Sequence, residues 1–150
     1  MAKFAHDEVV PYSHKDEGKK KQVAEMFNKI APRYDFINRF LSVGTDRGWR
    51  KKAITEIKSI LPKRILDVAT GTGDMAVMMC KMLQPESIIG IDISEGMLEY
   101  GRKKIETQGL NHIIHLQSGD AETINFPDKS FDAVTVAFGV RNFENLENGL

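Results

Sequence analysis

A short apolar run at residues 64–69 (RILDVA) flows directly into Thr70-Gly71-Thr72-Gly73, and residues 75–83 behind it read as a helix. This strand, glycine turn and helix limits the possible folds more than any other feature of the chain. Without side chains, Gly71 and Gly73 let the backbone turn sharply and let a ligand approach it closely. The same grammar then repeats. Residues 87–92 (SIIGID) read as a second strand, and Ser94 caps a helix running to about residue 108, with Gly109 as its stop. Residues 113–117 form a third strand ending in Ser118-Gly119-Asp120-Ala121, and residues 131–138 (FDAVTVAF) form a fourth. A further helix begins near Asn142 or Phe143. Strands alternating with helices require crossovers, so the spacing predicts an α/β fold with a mostly parallel sheet covered on both faces.

Ahead of this unit lies a helical preamble. Residues 1–19 lack periodicity and read as a loose arm. Val23, Met26, Phe27 and Ile30 make one apolar stripe on a helix from residue 20, which Pro32 ends. A second short segment covers residues 34–41. Thr45 or Asp46 caps a third helix whose buried face is Trp49, Ala53, Ile54, Ile57 and Leu61, with Pro62 beyond it. Two basic groups, Lys19-Lys20-Lys21 and Arg47, Arg50, Lys51 and Lys52, read as solvated faces, with membrane headgroups as the second reading for the latter. The chain thus divides into an arm (1–19), a preamble (20–62) and an α/β domain (63–150).

Composition narrows the function classes. Twenty-one basic side chains balance 21 acidic ones, which argues against a surface built around nucleic acid. The single cysteine, Cys80, excludes an internal disulfide framework and any CxxC site, so the cytoplasm is the default compartment. No apolar stretch approaches the roughly 20 residues of a membrane-spanning helix. His112 and His115 sit three apart on a strand, where they face opposite ways, so no metal site is expected. Met75, Met78, Met79 and Met82 are read as packing.

The glycine turn alone leaves its ligand open. Gly71 to Ala76 fits GxGxxA, and Asp92 stands where a nicotinamide enzyme places its ribose acid. Three features point elsewhere. Asp67 precedes Gly71 by four residues, and the resulting D-x-A-x-G-x-G resembles the first motif of S-adenosylmethionine-dependent methyltransferases, with Ala69 replacing the first of three glycines. Asp74 opens the next helix, where an acid would repel a pyrophosphate but tolerate a sulfonium. Asp120 and Ala121 follow the third strand, placed to accept from an adenine amino group and to pack on its ring. Asp92 would take the ribose hydroxyls. Singly, Asp67 reads equally well as an acid bonded to turn amides, Asp92 as a helix-starting residue and Asp120 as a loop acid.

Residues 27–50 (FNKIAPRYDFINRFLSVGTDRGWR), followed by LDVATGTGD, DISEGML and SGDAETINFPDKSFDAVTVAFGVRNF, resemble the ubiquinone/menaquinone-biosynthesis C-methyltransferase family over residues 20–150. The resemblance implies a Rossmann-like class I methyltransferase fold and methyl transfer from S-adenosylmethionine to a ring carbon of a prenylated quinol, such as demethylmenaquinol. It puts cofactor contacts on Thr72, Asp92, Asp120 and Ala121, beside Asp67, Gly71 and Gly73. Asp46 departs from a histidine common in the family, and Ala137 from a serine found in some members. Family members continue through further strands, so the C-terminal strands are expected to be missing here, with the fourth strand left as an edge. Deprotonating the quinol makes its ring carbon nucleophilic. Arg141 is the candidate to stabilise the phenolate, Asn142 to orient it, and Tyr34 to act from the preamble. Residues 137–140 (AFGV) lack the N/D-P-P-Y/F element of amino-methylating DNA enzymes, which disfavours nucleic acid. A membrane-dissolved substrate implies transient bilayer contact through the preamble, as for a cytoplasmic protein peripheral to the membrane. A nicotinamide oxidoreductase and a non-catalytic cofactor-binding module remain as rival readings, and the general base and oligomeric state stay open.

Overall fold

A computed structural model describes residues 18–42 and 44–137. The arm up to residue 17, Arg141, Asn142 and the helix expected from about residue 142 lie outside the described residues. Four strands, β1 (Arg64–Val68), β2 (Ser87–Asp92), β3 (Ile114–Ser118) and β4 (Ala133–Val136), form one sheet in the order β3-β2-β1-β4. Every neighbouring pair is parallel. The chain builds outward from β1 in one direction through β2 and β3, then crosses to β4 on the other side. Such a reversal opens a crevice at the carboxyl ends of the central strands.

Residue parity sorts the sheet's two faces. Ile65 pairs with Ile88 and Ala133, and these pack under α3 (Asp74–Leu83) and α4 (Glu95–Thr107), with Met79, Leu98 and Ile105 fully enclosed. Met75 joins this core, and Met78 and Met82 pack against it, so the methionines are packing residues. Truncating one of the enclosed side chains to alanine costs about 2–5 kcal/mol. Leu66, Val68 and Ile91 point the other way. The described apolar residues packed on this face come largely from the loop between β3 and β4: Phe126 and Phe131 meet edge-on with centroids 5.0 Å apart and pack there with Ala121. β4 is an edge strand of the described sheet, with Val134 61% exposed. His112 falls in a turn and His115 on an exposed position of β3.

The preamble differs from its reading in sequence. α1 (Lys19–Leu41) is one helix that runs through Pro32. Proline withholds one backbone donor from the helix ladder. Packing along α4 holds the helix together on both sides of that gap, through Asn28 on one side and Asp35 on the other. α2 (Thr45–Ile57) starts after Gly44, whose φ of 78° makes the turn, so neither Thr45 nor Asp46 is the cap. Thr45 Oγ1 donates to the Ser42 carbonyl, and Asp46 turns inward to accept from Ser42 Oγ at 2.9 Å. The inner face of α2 is Asp46, Arg50 and Ile54, with Ile57 partly buried. Trp49, Ala53 and Leu61 are exposed, contrary to the apolar stripe predicted for them. The helix is rotated because what it covers at the start of α3 is charged, and Arg50 must reach it. Arg50 is therefore no part of a solvated basic face. Nor is the lysine run uniform: Lys19 is buried, Lys20 is half-buried and Lys21 is exposed.

Candidate functional site

The turn after β1 takes its shape from three residues with positive φ: Ala69 (53°), Gly71 (58°) and Gly73 (78°). Ala69 holds the left-handed conformation without being glycine, a strained setting for a residue with a Cβ. The Thr70 amide donates to the Ile91 carbonyl at 3.0 Å, tying the turn to β2, and the Gly73 amide closes it on the Thr70 carbonyl at 2.9 Å. Beneath it, Asp67 is buried and accepts from Thr70 Oγ1 and Thr135 Oγ1, each at 2.7 Å. Burial pushes its pKa from 3.8 up to about 6, outweighing the two hydroxyl bonds and the nearby Arg50 charge. Thr70 has room because Gly90 has no Cβ. One built there would sit 2.7 Å from Thr70 Oγ1 and 2.6 Å from Leu116 Cδ2.

Asp92 ends β2 and joins two loops. Its carboxylate accepts from the Gly71 amide at 2.9 Å and from the Ser94 amide at 2.8 Å. It therefore both starts the next helix and fixes the glycine turn. Burial raises its pKa despite these bonds. Ser94 caps α4 by accepting from the Met97 amide at 3.3 Å. Asn28 Oδ1 on α1 accepts from Ser94 Oγ at 2.7 Å and from the Gly96 amide at 2.9 Å, seating α1 on the start of α4.

A polar network unannounced by any sequence motif locks α1 and α2 onto this turn. Thr72, 2% exposed, donates from its hydroxyl to Asp35 of α1. Lys104 of α4 donates to Asp35 Oδ2 at 2.7 Å, Asp74 Oδ1 at 2.6 Å and Thr72 Oγ1 at 3.0 Å. Arg50 lies 3.4 Å from Asp74 and 3.9 Å from Asp46. Asp74 is thus matched by cations, and its expected repulsion of a pyrophosphate is weaker than its position alone implies. The five charged groups still sum to one net negative charge, three carboxylates against two cations.

Asp120 follows β3, one strand over from Asp92. Its Oδ1 accepts from the Glu122 amide at 3.0 Å, and its Oδ2 pairs with Lys20 of α1, which also reaches Glu122 at 3.5 Å. A cavity of about 440 Å³ opens here, between Gly18 and, on α1, Lys20, Lys21 and Ala24, and Ile93, Ser118, Gly119 and Asp120 at the strand ends. Ala121 is half-buried against the Leu66, Val68 and Ile91 cluster. Tyr34 is half-buried beside Asp35 and meets Phe27 edge-on at 5.8 Å. Asp67, Gly71, Thr72, Gly73 and Asp92 therefore form one bonded unit, with Asp120 at the neighbouring strand end. Gly90, Asp35, Lys104 and Asn28 are the parts that sequence reading did not find. A glycine inside a strand is the one available signal among them.

Residues 15–150 match the ubiE/COQ5 methyltransferase family. The chain belongs to that family. A demethylmenaquinone methyltransferase of Bacteroides fragilis is 50% identical over 147 residues, spanning 98% of this chain and 60% of the relative. The chain thus covers about three fifths of the length of that relative. Two solved structures share the fold. The [4+2]-cyclase SpnF is 18% identical with a TM-score of 0.67, over 88% of this chain and 54% of that one. A protein described as a sarcosine dimethylglycine methyltransferase from Galdieria sulphuraria is 22% identical with a TM-score of 0.55, over 65% of this chain and 36% of that one. The ubiE/COQ5 chain has the α/β fold of class I methyltransferases, with four described strands.

Proposed function

We propose that the chain binds S-adenosylmethionine and serves C-methylation of a prenylated quinol, with demethylmenaquinol becoming menaquinol. The observation that carries this reading is the row of buried or half-buried acids at the carboxyl ends of adjacent parallel strands, Asp67, Asp92 and Asp120, around a glycine turn that one of them holds. Carboxylates at these strand ends suit a cationic, hydroxyl-rich ligand better than a diphosphate. Family membership and the name of the Bacteroides relative support the same chemistry.

In this reading Asp92 accepts from the two ribose hydroxyls, Asp120 accepts from the adenine amino group, and Ala121 packs beside the ring. Gly71 and Gly73 let the backbone come close, Thr72 fixes the turn, and Asp67 acts on the ammonium end through its ordered neighbours. The cavity beside Ile93 and Asp120 fits the adenine end. The cofactor supplies an electrophilic methyl group when bound. The chain's part is to hold the acceptor carbon in line and to favour the phenolate, with Arg141 stabilising its charge, Asn142 orienting it and Tyr34 contributing from α1. The preamble (20–62) forms the substrate side and residues 63–150 the cofactor side, with residues 1–19 as an arm. A prenylated acceptor dissolves in the bilayer, so transient membrane-surface contact belongs to the proposal. No described helix is long and apolar enough to cross a membrane.

Calorimetric titration with S-adenosylhomocysteine and, in parallel, NAD tests the cofactor half. Binding of the first, weakened about tenfold or more by Asp92→Asn, is expected; binding of NAD alone overturns the reading. Transfer of labelled methyl to a short-chain demethylmenaquinol tests the acceptor half. A chain that binds S-adenosylhomocysteine but transfers nothing would be a cofactor-binding module.

A further inference from the structure

The corner where α1 ends and α2 begins leaves large apolar side chains in solvent. Phe36 is 72% exposed, Phe40 74% and Leu41 73%, and the two phenylalanine rings stack with centroids 6.3 Å apart. On α1, Lys29, Arg33, Phe36 and Phe40 follow one another at helical spacings of four, three and four, and all are exposed. α2 begins four residues after Leu41 and presents Arg47, Lys51 and Lys52 to solvent, with Trp49 38% exposed among them.

The charge of this corner is one-sided. Residues 28–55 contain seven basic and two acidic side chains, a net +5 in a chain whose total is zero. Both acids are turned away from the surface: Asp35 pairs with Lys104, and Asp46 with Arg50. A protein segment covering this corner would strip water from several cations, and the corner's own two acids, already paired inward, do not offset them. An anionic lipid surface matches both features, with phosphates for the lysines and arginines and the acyl boundary for the rings.

We infer that Phe36, Phe40 and Leu41, flanked by Arg33, Arg47, Lys51 and Lys52, form the face that docks on an anionic bilayer. This deepens the proposed function, because it sets α1, the helix that holds the glycine turn through Asp35, against the phase in which a prenylated quinol is dissolved.

The test is flotation of the chain with quinone-free vesicles of phosphatidylcholine, with and without phosphatidylglycerol. Binding is expected to the anionic vesicles and to fall with added salt. Each lysine near an anionic surface raises partitioning about fivefold, so Lys51→Gln with Lys52→Gln should lower it about 25-fold. Phe36→Ser with Phe40→Ser should lower it on its own, with circular dichroism unchanged because both rings are already exposed. Absence of flotation, or flotation unaltered by both double variants, overturns the assignment. Transfer to a water-soluble short-chain quinol reports on the methylation reading alone. A chain that methylates that quinol but ignores vesicles refutes the docking face only; one that floats but methylates nothing refutes the activity only.

Discussion

Alanine in place of Gly101 separates two opposing effects in one helix. Gly101 lies inside α4, where alanine is the better helix former by about 0.5–1 kcal/mol. On propensity alone Gly101→Ala would stabilise. Its Cβ, however, would stand 2.7 Å from the Thr72 carbonyl oxygen, 2.9 Å from the Thr72 carbonyl carbon and 2.6 Å from Leu116 Cδ1. Leu116 has a flexible tip and can turn aside. The Thr72 carbonyl is backbone, held in a turn that Asp92 and the Gly73–Thr70 bond fix from both sides. Overpacking of this kind costs about 1–3 kcal/mol, so the net expectation is a loss of about 1–2 kcal/mol, or roughly 2–8 °C in Tm for a chain of this length. Gly48→Ala is the control. Gly48 is also helical, in α2, but a Cβ there meets nothing within 4 Å, so the gain of about 0.5–1 kcal/mol should appear undiminished. Thermal unfolding followed by circular dichroism reads both. If Gly101→Ala raised Tm as Gly48→Ala does, the contact between α4 and the glycine turn would not have the closeness argued here.

Asp67 should make stability fall with pH. Its carboxyl titrates near 3.8 when unfolded and near 6 in the fold, so between those values the native chain holds a proton that the unfolded chain has released. Stability from this group is full below about pH 4, declines through pH 6 and stays lower above it, by about 3 kcal/mol. Asp67→Asn should therefore raise Tm at pH 8 and flatten that slope, while weakening S-adenosylhomocysteine. Equal pH slopes in urea titrations of the two proteins would show that the carboxyl is not carrying the effect. Lys104→Met should cost about 2 kcal/mol, between the values for exposed and fully buried pairs, because its partners are mostly but not wholly covered. A double-mutant cycle with Asp35→Asn should return a coupling of about 1 kcal/mol or more; strictly additive losses would mean that the α1 link does not act through this pair.

The two elements best read from sequence are β2, whose bounds of Ser87–Asp92 match the expectation, and α4, with Ser94 as cap and a positive-φ Gly109 behind it. Both carry their own punctuation, so local chemistry decides them. Periodicity misplaces the inner face of α2 because it assumes that the buried face is apolar. Here Asp46 and Arg50 take that face, and no local pattern distinguishes a buried arginine from a solvated one. Pro32 misleads for a related reason. A proline breaks a helix in isolation, but α1 is held across it by Asn28 and Asp35, contacts 66 to 69 residues away in sequence. The places of Asp67, Asp92 and Asp120 at successive strand ends are legible because the strands are, while each acid taken singly has a plain structural use as well, as the bonds of Asp92 to the Gly71 and Ser94 amides show. Lys104 was not, since one lysine on an exposed-looking helix carries no signal of the two aspartates it joins.

The charges placed around the glycine turn bear differently on a diphosphate ligand than the sequence order of its acids does. Asp74 at the start of α3 is offset by Lys104 and Arg50, so its position at the helix terminus no longer decides the matter. What remains is the interior of the site. Asp92 raises the cost of ionising Asp67, and burial pushes both carboxyls up with no cation hydrogen-bonded to either among the described residues; their partners are hydroxyls and backbone amides. A site in that condition gains from a positive ligand, which would bring both carboxyls back toward their ordinary range, and loses from a phosphate, which would drive them further out. In the proposed reading, selectivity for a sulfonium-bearing cofactor comes from two under-compensated acids at the ends of β1 and β2, and the glycine turn they flank provides the close approach that makes their charge felt.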